Sequence, residues 1–313
     1  KNIDDVIARL RDAESSLTDP NVPLLAWGLD PIYFSGDRLI GSHLDQVSTT
    51  RPIFVLHASA HLATVNSALM QAEGITSEIP MEGIPKDANG NPIGELQEFA
   101  AMSLASSAFR SFFGRMQSQE AKWDLGHLAN RAGITTLTDL GNPSSTRQTT
   151  IDEWREVVDH DDFPAPFFIF DTPATSQATS ETIFSIQEQS SAKLRLGAVK
   201  VILDGSIQGY TARLREPGYL DDRPNGIWVF HPEQLTELLR PFHESGLLVH
   251  VHCNGDEAVD VFLDAVETLL SESPRNDHRY TFQHCQLTTP EQYDRIASLV
   301  MCANLFSNHT WYW

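Results

Sequence analysis

Two histidines close short apolar runs in the C-terminal half of the chain: His252 in LLVHVHCNGDEAVD and His284 in HRYTFQHCQLTTP. Each run is followed by a turn and then by a helical pattern. A histidine at the carboxyl end of a parallel strand faces the mouth of an α/β barrel, where such folds keep their chemistry. Two of them on consecutive strands could hold one metal ion through neutral imidazole nitrogens. A single strand-end histidine more often packs than ligates, so the metal reading rests on the repetition of strand, histidine, turn and helix.

Lys200, in GAVKVILDGS, lies inside an apolar strand, where a charged amine is costly unless paired or modified. Two explanations stay open: neutralisation by a buried carboxylate such as Asp204, or carboxylation by carbon dioxide into a group able to bridge two divalent ions. His250 points the same way as His252 by the period-two rule and reads as a supporting or packing residue. In the turn Asn254–Gly255–Asp256, Asp256 could cap the next helix as readily as act in catalysis. Asp204 and the loop that includes Tyr210–Thr211–Ala212 follow Lys200 and could cover a site. Asp139 ends GITTLTD, either as a loop carboxylate or reaching the mouth. His278 opens the segment that His284 closes and is expected at the opposite, stabilising rim. His57 and His61 with Asn66, in HASAHLATVNSAL, form a polar patch suited to packing or to substrate binding. His309, in SNHTWYW, is a further candidate for the mouth.

The elements that must position these residues alternate. Strand patterns at 133–141, 165–173, 194–206, 247–253, 279–285 and 300–307 each follow a helical pattern, and their continuous Val/Ile/Leu/Phe runs fit strands buried on both faces. This rhythm predicts a parallel sheet, with a TIM-like barrel as the leading architecture. An open doubly wound sheet would want a glycine-rich phosphate turn, and no GxGxxG or GxxxxGK[ST] is present. Residues 21–104 break the rhythm and read as an inserted α+β module. It has one strand (RPIFVLH), one helix (LATVNSALMQAEG) and a DANGNPIGE hairpin, leaving 1–20 and 105–313 to a partial barrel. A single long helix is expected over FAAMSLASSAFRSFFGRM.

Of the 313 residues, 41% are hydrophobic, which fits a soluble globular chain, and no run approaches the roughly 18 apolar residues of a membrane span. A formal net charge of −20 argues against nucleic acid and anionic membranes as partners. The opening KNIDDVIARLRDAESSL reads as an amphipathic helix rather than a signal peptide. Cys253, Cys285 and Cys302 lack zinc-finger or CxxC spacing and are expected to be free, buried thiols in a reducing, cytoplasmic setting.

Taken together, RPIFVLHASAHLATVNSALMQAEGI, GNPIGELQE, GAVKVILDGSIQGYTARLREPGY, LLVHVHCNGDEAVD and RYTFQHCQL resemble the amidohydrolase superfamily. Within it they resemble the amidohydrolase 3 group, which includes the N-substituted formamide deformylases and the YtcJ-like proteins. The closing NLFSNHTWYW is most like the deformylase branch. The resemblance implies a (β/α)8 metal-dependent hydrolase barrel. Its ligands there are an HxH on the first strand, a carboxylated lysine on the fourth, histidines on the fifth and sixth, and an aspartate on the eighth. With GITTLTDLG as the second strand, Lys200, His252 and His284 fall at the fourth, fifth and sixth. The same resemblance implies one or two divalent ions, zinc first among them. It also implies a small-molecule amide substrate, for which His61, Asn66, Asp204, Tyr210 and His309 are the candidate contacts by position, and it leaves homo-oligomerisation open.

The departures are equally specific. No HxH matches the first strand, and no aspartate strand follows Trp313. The glutamate that commonly precedes the sixth-strand histidine is Gln283. The expectation is therefore an internal fragment covering strands 2–7 of an amidohydrolase. Its general-base aspartate would lie beyond Trp313, leaving no catalytic residue within the chain and negligible activity for the fragment alone. The full-length parent would hydrolyse the C–N bond of an amide or N-substituted formamide. A metal-dependent deaminase of a cyclic amidine and a non-catalytic, barrel-derived interaction protein are the alternatives.

Overall fold

A computed structural model of the chain describes residues 2–34, 38–220 and 223–312. The contacts divide it into two compact units, Lys1–Arg115 with Gly205–Thr211, and Met116–Asp204 with Ala212–Trp313. These divisions differ from those drawn from the sequence rhythm. The helix Ile3–Ser15 shows why: Leu10 joins Leu24, Leu44, Ile53 and Val55 in one apolar cluster, which places the helix in the first unit.

The first unit carries a four-stranded sheet, ordered β1 (Leu24–Leu29), β2 (Ile53–His57), β3 (Leu62–Val65) and β4 (Glu95–Gln97). β1 runs parallel to β2, and the other pairs are antiparallel. The expected helix LATVNSALMQAEG is corrected here. Leu62–Val65 pairs with both β2 and β4, and the helix starts only at Ser67. Asn66 makes the change of state: its side-chain oxygen accepts from Leu69 N at 3.1 Å as an N-cap, and Gly74 closes the helix in the left-handed region at φ 67°. The expected long helix is also broken, into Glu98–Met102 and Ser106–Met116. The DANGNPIGE turn is held by Asp87, which accepts from Asn89 N and Asn91 N at 2.9 Å, beside a Lys86–Pro92 bridge.

The second unit is a parallel half-barrel sheet of six strands in chain order: β5 (Leu137–Asp139), β6 (Phe167–Asp171), β7 (Leu194–Ile202), β8 (Leu248–Cys253), β9 (Thr281–His284) and β10 (Cys302–Leu305). All five neighbouring pairs are parallel. Alternate residues Val199, Val201, Val249, Val251, Cys253 and Phe282 enter one core with Leu235, Leu239, Phe262 and Val266 from the helices Pro232–Glu244 and Asp256–Glu272. Each fully buried side chain of this size contributes about 1.5–3 kcal/mol, enough to fix the register. A one-residue slip would exchange this apolar set for the opposite face, which carries Lys200, His250, His252 and Gln283. Cys253 and Cys285 are free and buried as expected, whereas Cys302, on the edge strand β10, is exposed.

Candidate metal centre

His252 is the penultimate residue of β8 and His284 the last of β9, and register pairs His284 with Cys253. Their rings meet edge to face, with centroids 4.6 Å apart at 71°. At the end of β9 the backbone turns sharply: His284 and Cys285 both lie in the left-handed region, at φ 79° and 52°. For residues with a Cβ this costs about 1–3 kcal/mol each and persists only where packing enforces it. The kink re-aims the His284 ring at the end of its strand.

Asp204 braces the neighbouring loops. Its fully buried carboxylate accepts from the backbone N–H groups of Asn254 (3.0 Å), Gly255 (2.8 Å) and Arg213 (3.0 Å). Its Oδ1 also lies 3.6 Å from His252 Nε2, which stands 3.3 Å from Asn254 Nδ2. Gly255 permits this approach, because a Cβ there would sit 1.8 Å from the Arg213 carbonyl oxygen. The helix N-cap is Gly255 rather than Asp256, whose carboxylate instead accepts from Arg215 N at 2.9 Å.

Lys200 is buried on β7, directly across from His250 on β8. Burial draws its amine down to about 8, against the opposing fields of Cys253 and Asp204. Among the described residues no hydrogen bond or ion pair is made by that amine, and Asp204 acts on it through its field, which offsets part of the burial penalty. His250 is itself built into a chain. Gln283 Nε2 donates to its Nδ1 at 2.8 Å, Asn304 Nδ2 donates to Gln283 Oε1 at 2.7 Å, and the Phe170 ring lies 4.5 Å from the imidazole. Burial first, and then the Lys200 charge, lowers His250 to about 4. The sequence singled out Gln283 only as a departure and missed Asn304 altogether. Their meeting depends on the register of three strands, which period-two alternation alone does not supply.

His309 follows in line, its ring 6.5 Å from His284 and 4.8 Å from Phe306. Its Nδ1 is buried without a partner and burial lowers its basicity. Asp139 accepts from Gly141 N and Asn142 Nδ2 at the end of β5, and burial raises its carboxyl. His278 stands at the opposite end of β9, with Nε2 donating to Leu299 O and Nδ1 accepting from Tyr280 N, as expected of a stabilising rim. The remaining sequence candidates belong to the first unit. His61 Nδ1 meets Glu98 Oε2 at 2.8 Å, and Tyr210, at φ 59°, has the Arg38 guanidinium 5.3 Å from its ring. Asn66 is engaged by its own backbone surroundings, accepting from Ile53 N and Leu69 N and donating to Ser48 O and Arg51 O. His57 Nε2 pairs with Thr64 Oγ1, and burial drives the ring down to about 3.

Among the described residues, no group of three or more His, Cys, Asp and Glu side chains is arranged to hold an ion. The two imidazoles are therefore an incomplete donor set alone. The buried, acceptor-less amine of Lys200 fits a third donor only once it carries a carboxylate, and with that change the chemistry of the set suits a divalent cation.

Comparisons with known proteins place the chain in a family. The amidohydrolase family model matches residues 1–312. Putative amidohydrolase YtcJ of Bacillus subtilis is 28% identical over 86% of this chain and 50% of its own length. N-substituted formamide deformylase of Arthrobacter pascens is 25% identical over 82% of this chain and 48% of its own. The chain thus spans about half the length of the curated relatives it matches. A crystal structure of an uncharacterized metal-dependent hydrolase from Pyrococcus horikoshii shares the fold, with a TM-score of 0.60 at 19% identity over 97% of this chain and 57% of that one. The chain belongs to the amidohydrolase family.

Proposed function

We propose that this chain contributes a metal centre, held by His252, His284 and a carboxylated Lys200, to a hydrolase acting on a non-peptide C–N bond, an amide or N-substituted formamide. The observation that carries the reading is the pair of strand-end imidazoles 4.6 Å apart, beside a buried lysine with no acceptor. A bound divalent cation, zinc by its fit to imidazole and carboxylate, supplies Lewis acidity toward a carbonyl and acidifies water. The chain's own residues orient and exclude. Asp204 clamps the loops beside His252, the kink after β9 aims His284, and Phe170 packs its ring 4.5 Å from that of His250. His309 is assigned to substrate contact, a reading supported by its buried Nδ1 without a partner and by its ring 6.5 Å from that of His284. His61 and Tyr210 are assigned to the substrate side by their place in the sequence. Asn66, fully buried with its amide engaged by Ile53 N, Leu69 N, Ser48 O and Arg51 O, serves the fold of the first unit rather than substrate. The name of the Arthrobacter relative favours N-substituted formamides as the first compounds to assay. In the parent protein, zinc-dependent turnover of N-benzylformamide should fall at least about 100-fold in His252→Ala, the scale of losing one transition-state interaction worth about 3 kcal/mol. Turnover unchanged by His252→Ala overturns the assignment.

A further inference from the structure

The hydrogen-bonded chain Asn304–Gln283–His250 crosses β10, β9 and β8 on the face that carries Lys200 and ends on the residue directly across from it. Its direction is set by how the two side-chain amides are placed. Asn304 gives an amide N–H to Gln283 Oε1, which leaves Gln283 Nε2, a group that only donates, facing His250 Nδ1. With the amides in this orientation Nδ1 accepts, which puts the ring proton on Nε2. Ala198, two residues before Lys200 on β7 and small, sits between Phe170 on β6 and Leu248 on β8 in the register, so the Phe170 ring can reach across it to the His250 imidazole. The ring is thus held by its Nδ1 and by one face, and the polar atom left to it is an N–H donor.

We propose that Asn304, Gln283 and His250 form a positioning device that favours the carboxylated form of Lys200 over its ammonium form. This rests on the reading of Lys200 as a carboxylated ligand. On the residue paired with Lys200 in the register, an Nε2–H and an ammonium are two donors with no acceptor between them, whereas a carbamate offers two oxygens to that N–H. The modification is balanced without a redox partner. The neutral Lys200 nitrogen attacks the carbon of dissolved carbon dioxide, a C–N bond forms, one C=O pair moves onto oxygen, and one N–H proton passes to solvent. A glutamate at position 283 would accept from Nδ1–H and turn the ring's polarity around. The amide found there is what commits it.

The test uses the 313-residue protein loaded with zinc and 13C-bicarbonate, with carbamate read by 13C NMR and the imidazole tautomers by 15N NMR. Wild type should show a carbamate resonance and a His250 protonated on Nε2 alone. In Gln283→Leu, the bicarbonate concentration for half-occupancy should rise about tenfold, the scale of one hydrogen bond to a charged group. Asn304→Ala, on an exposed edge strand where folding is not at stake, should shift it in the same direction by a smaller factor. Half-occupancy unchanged in both variants, or a wild-type His250 protonated on Nδ1, overturns the device and leaves the metal centre standing. No carbamate in zinc-loaded wild type overturns the reading of Lys200 itself.

Discussion

At the residue scale, Lys200 is the side chain whose surroundings demand most explanation. An amine drawn from 10.5 to about 8 by burial costs the folded state stability wherever it is protonated. The sign follows from linkage. Below about pH 8 both states carry the proton and the full penalty applies. Between about 8 and 10.5 the unfolded chain still binds the proton and the folded chain does not, so stability rises with pH. In chelator and carbon dioxide-free buffer, Lys200→Met should therefore stabilise the protein at pH 7 by on the order of 2–3 kcal/mol. It should also abolish the alkaline rise, as read by denaturant midpoints across pH. Equal midpoints for both proteins, or a parallel rise in the variant, would show that the lysine is compensated in the metal-free state. Lys200 and His252 were legible in the sequence because they fall on the alternation opposite the apolar core set, and His284 because it closes a strand. Alternation alone would put His284 on the face of Phe282, and the backbone kink that turns it was not legible. Nor was the role of Gln283, because it is set by partners on two neighbouring strands.

At the element scale, the first unit depends on one side chain more than its pattern shows. Asn66 caps the helix Ser67–Glu73 and also bonds Ile53 N, Ser48 O and Arg51 O, tying β2 and its preceding loop to the end of β3. Asn66→Ala removes a cap worth about 1 kcal/mol and strands further buried groups, so a loss of about 2–4 kcal/mol is expected in denaturant unfolding. Loss below about 0.5 kcal/mol would mean that solvent or relaxation replaces these bonds. The six parallel strands were readable because long Val/Ile/Leu/Phe runs alternate with amphipathic helices. β1 and β3 were not. LATV is four residues long and runs directly into a capped helix, and Leu24–Leu29 has a mixed burial pattern with Gly28 at φ 95°. Short segments such as these are decided by partners distant in sequence: Ile53–His57 for β1, and both β2 and Glu95–Gln97 for β3.

At the scale of the whole molecule, four apolar clusters fall within the two units: two behind the parallel sheet of the second and two around the mixed sheet of the first. The centre drawn from β7, β8 and β9 lies within the second unit, so the ligand assignment depends on that unit's register alone. No described helix is long and apolar enough to cross a membrane, and the surface carries a large negative excess. The central claim is that His252 and His284 hold a divalent cation together with Lys200. Zinc titration of the wild-type chain by calorimetry in bicarbonate buffer, beside His252→Ala, His284→Ala and Lys200→Met, tests it most directly. The account predicts one specific binding event in wild type, weakened at least about tenfold by each substitution, since each removes one donor. Zinc bound by all four proteins with the same affinity would contradict it.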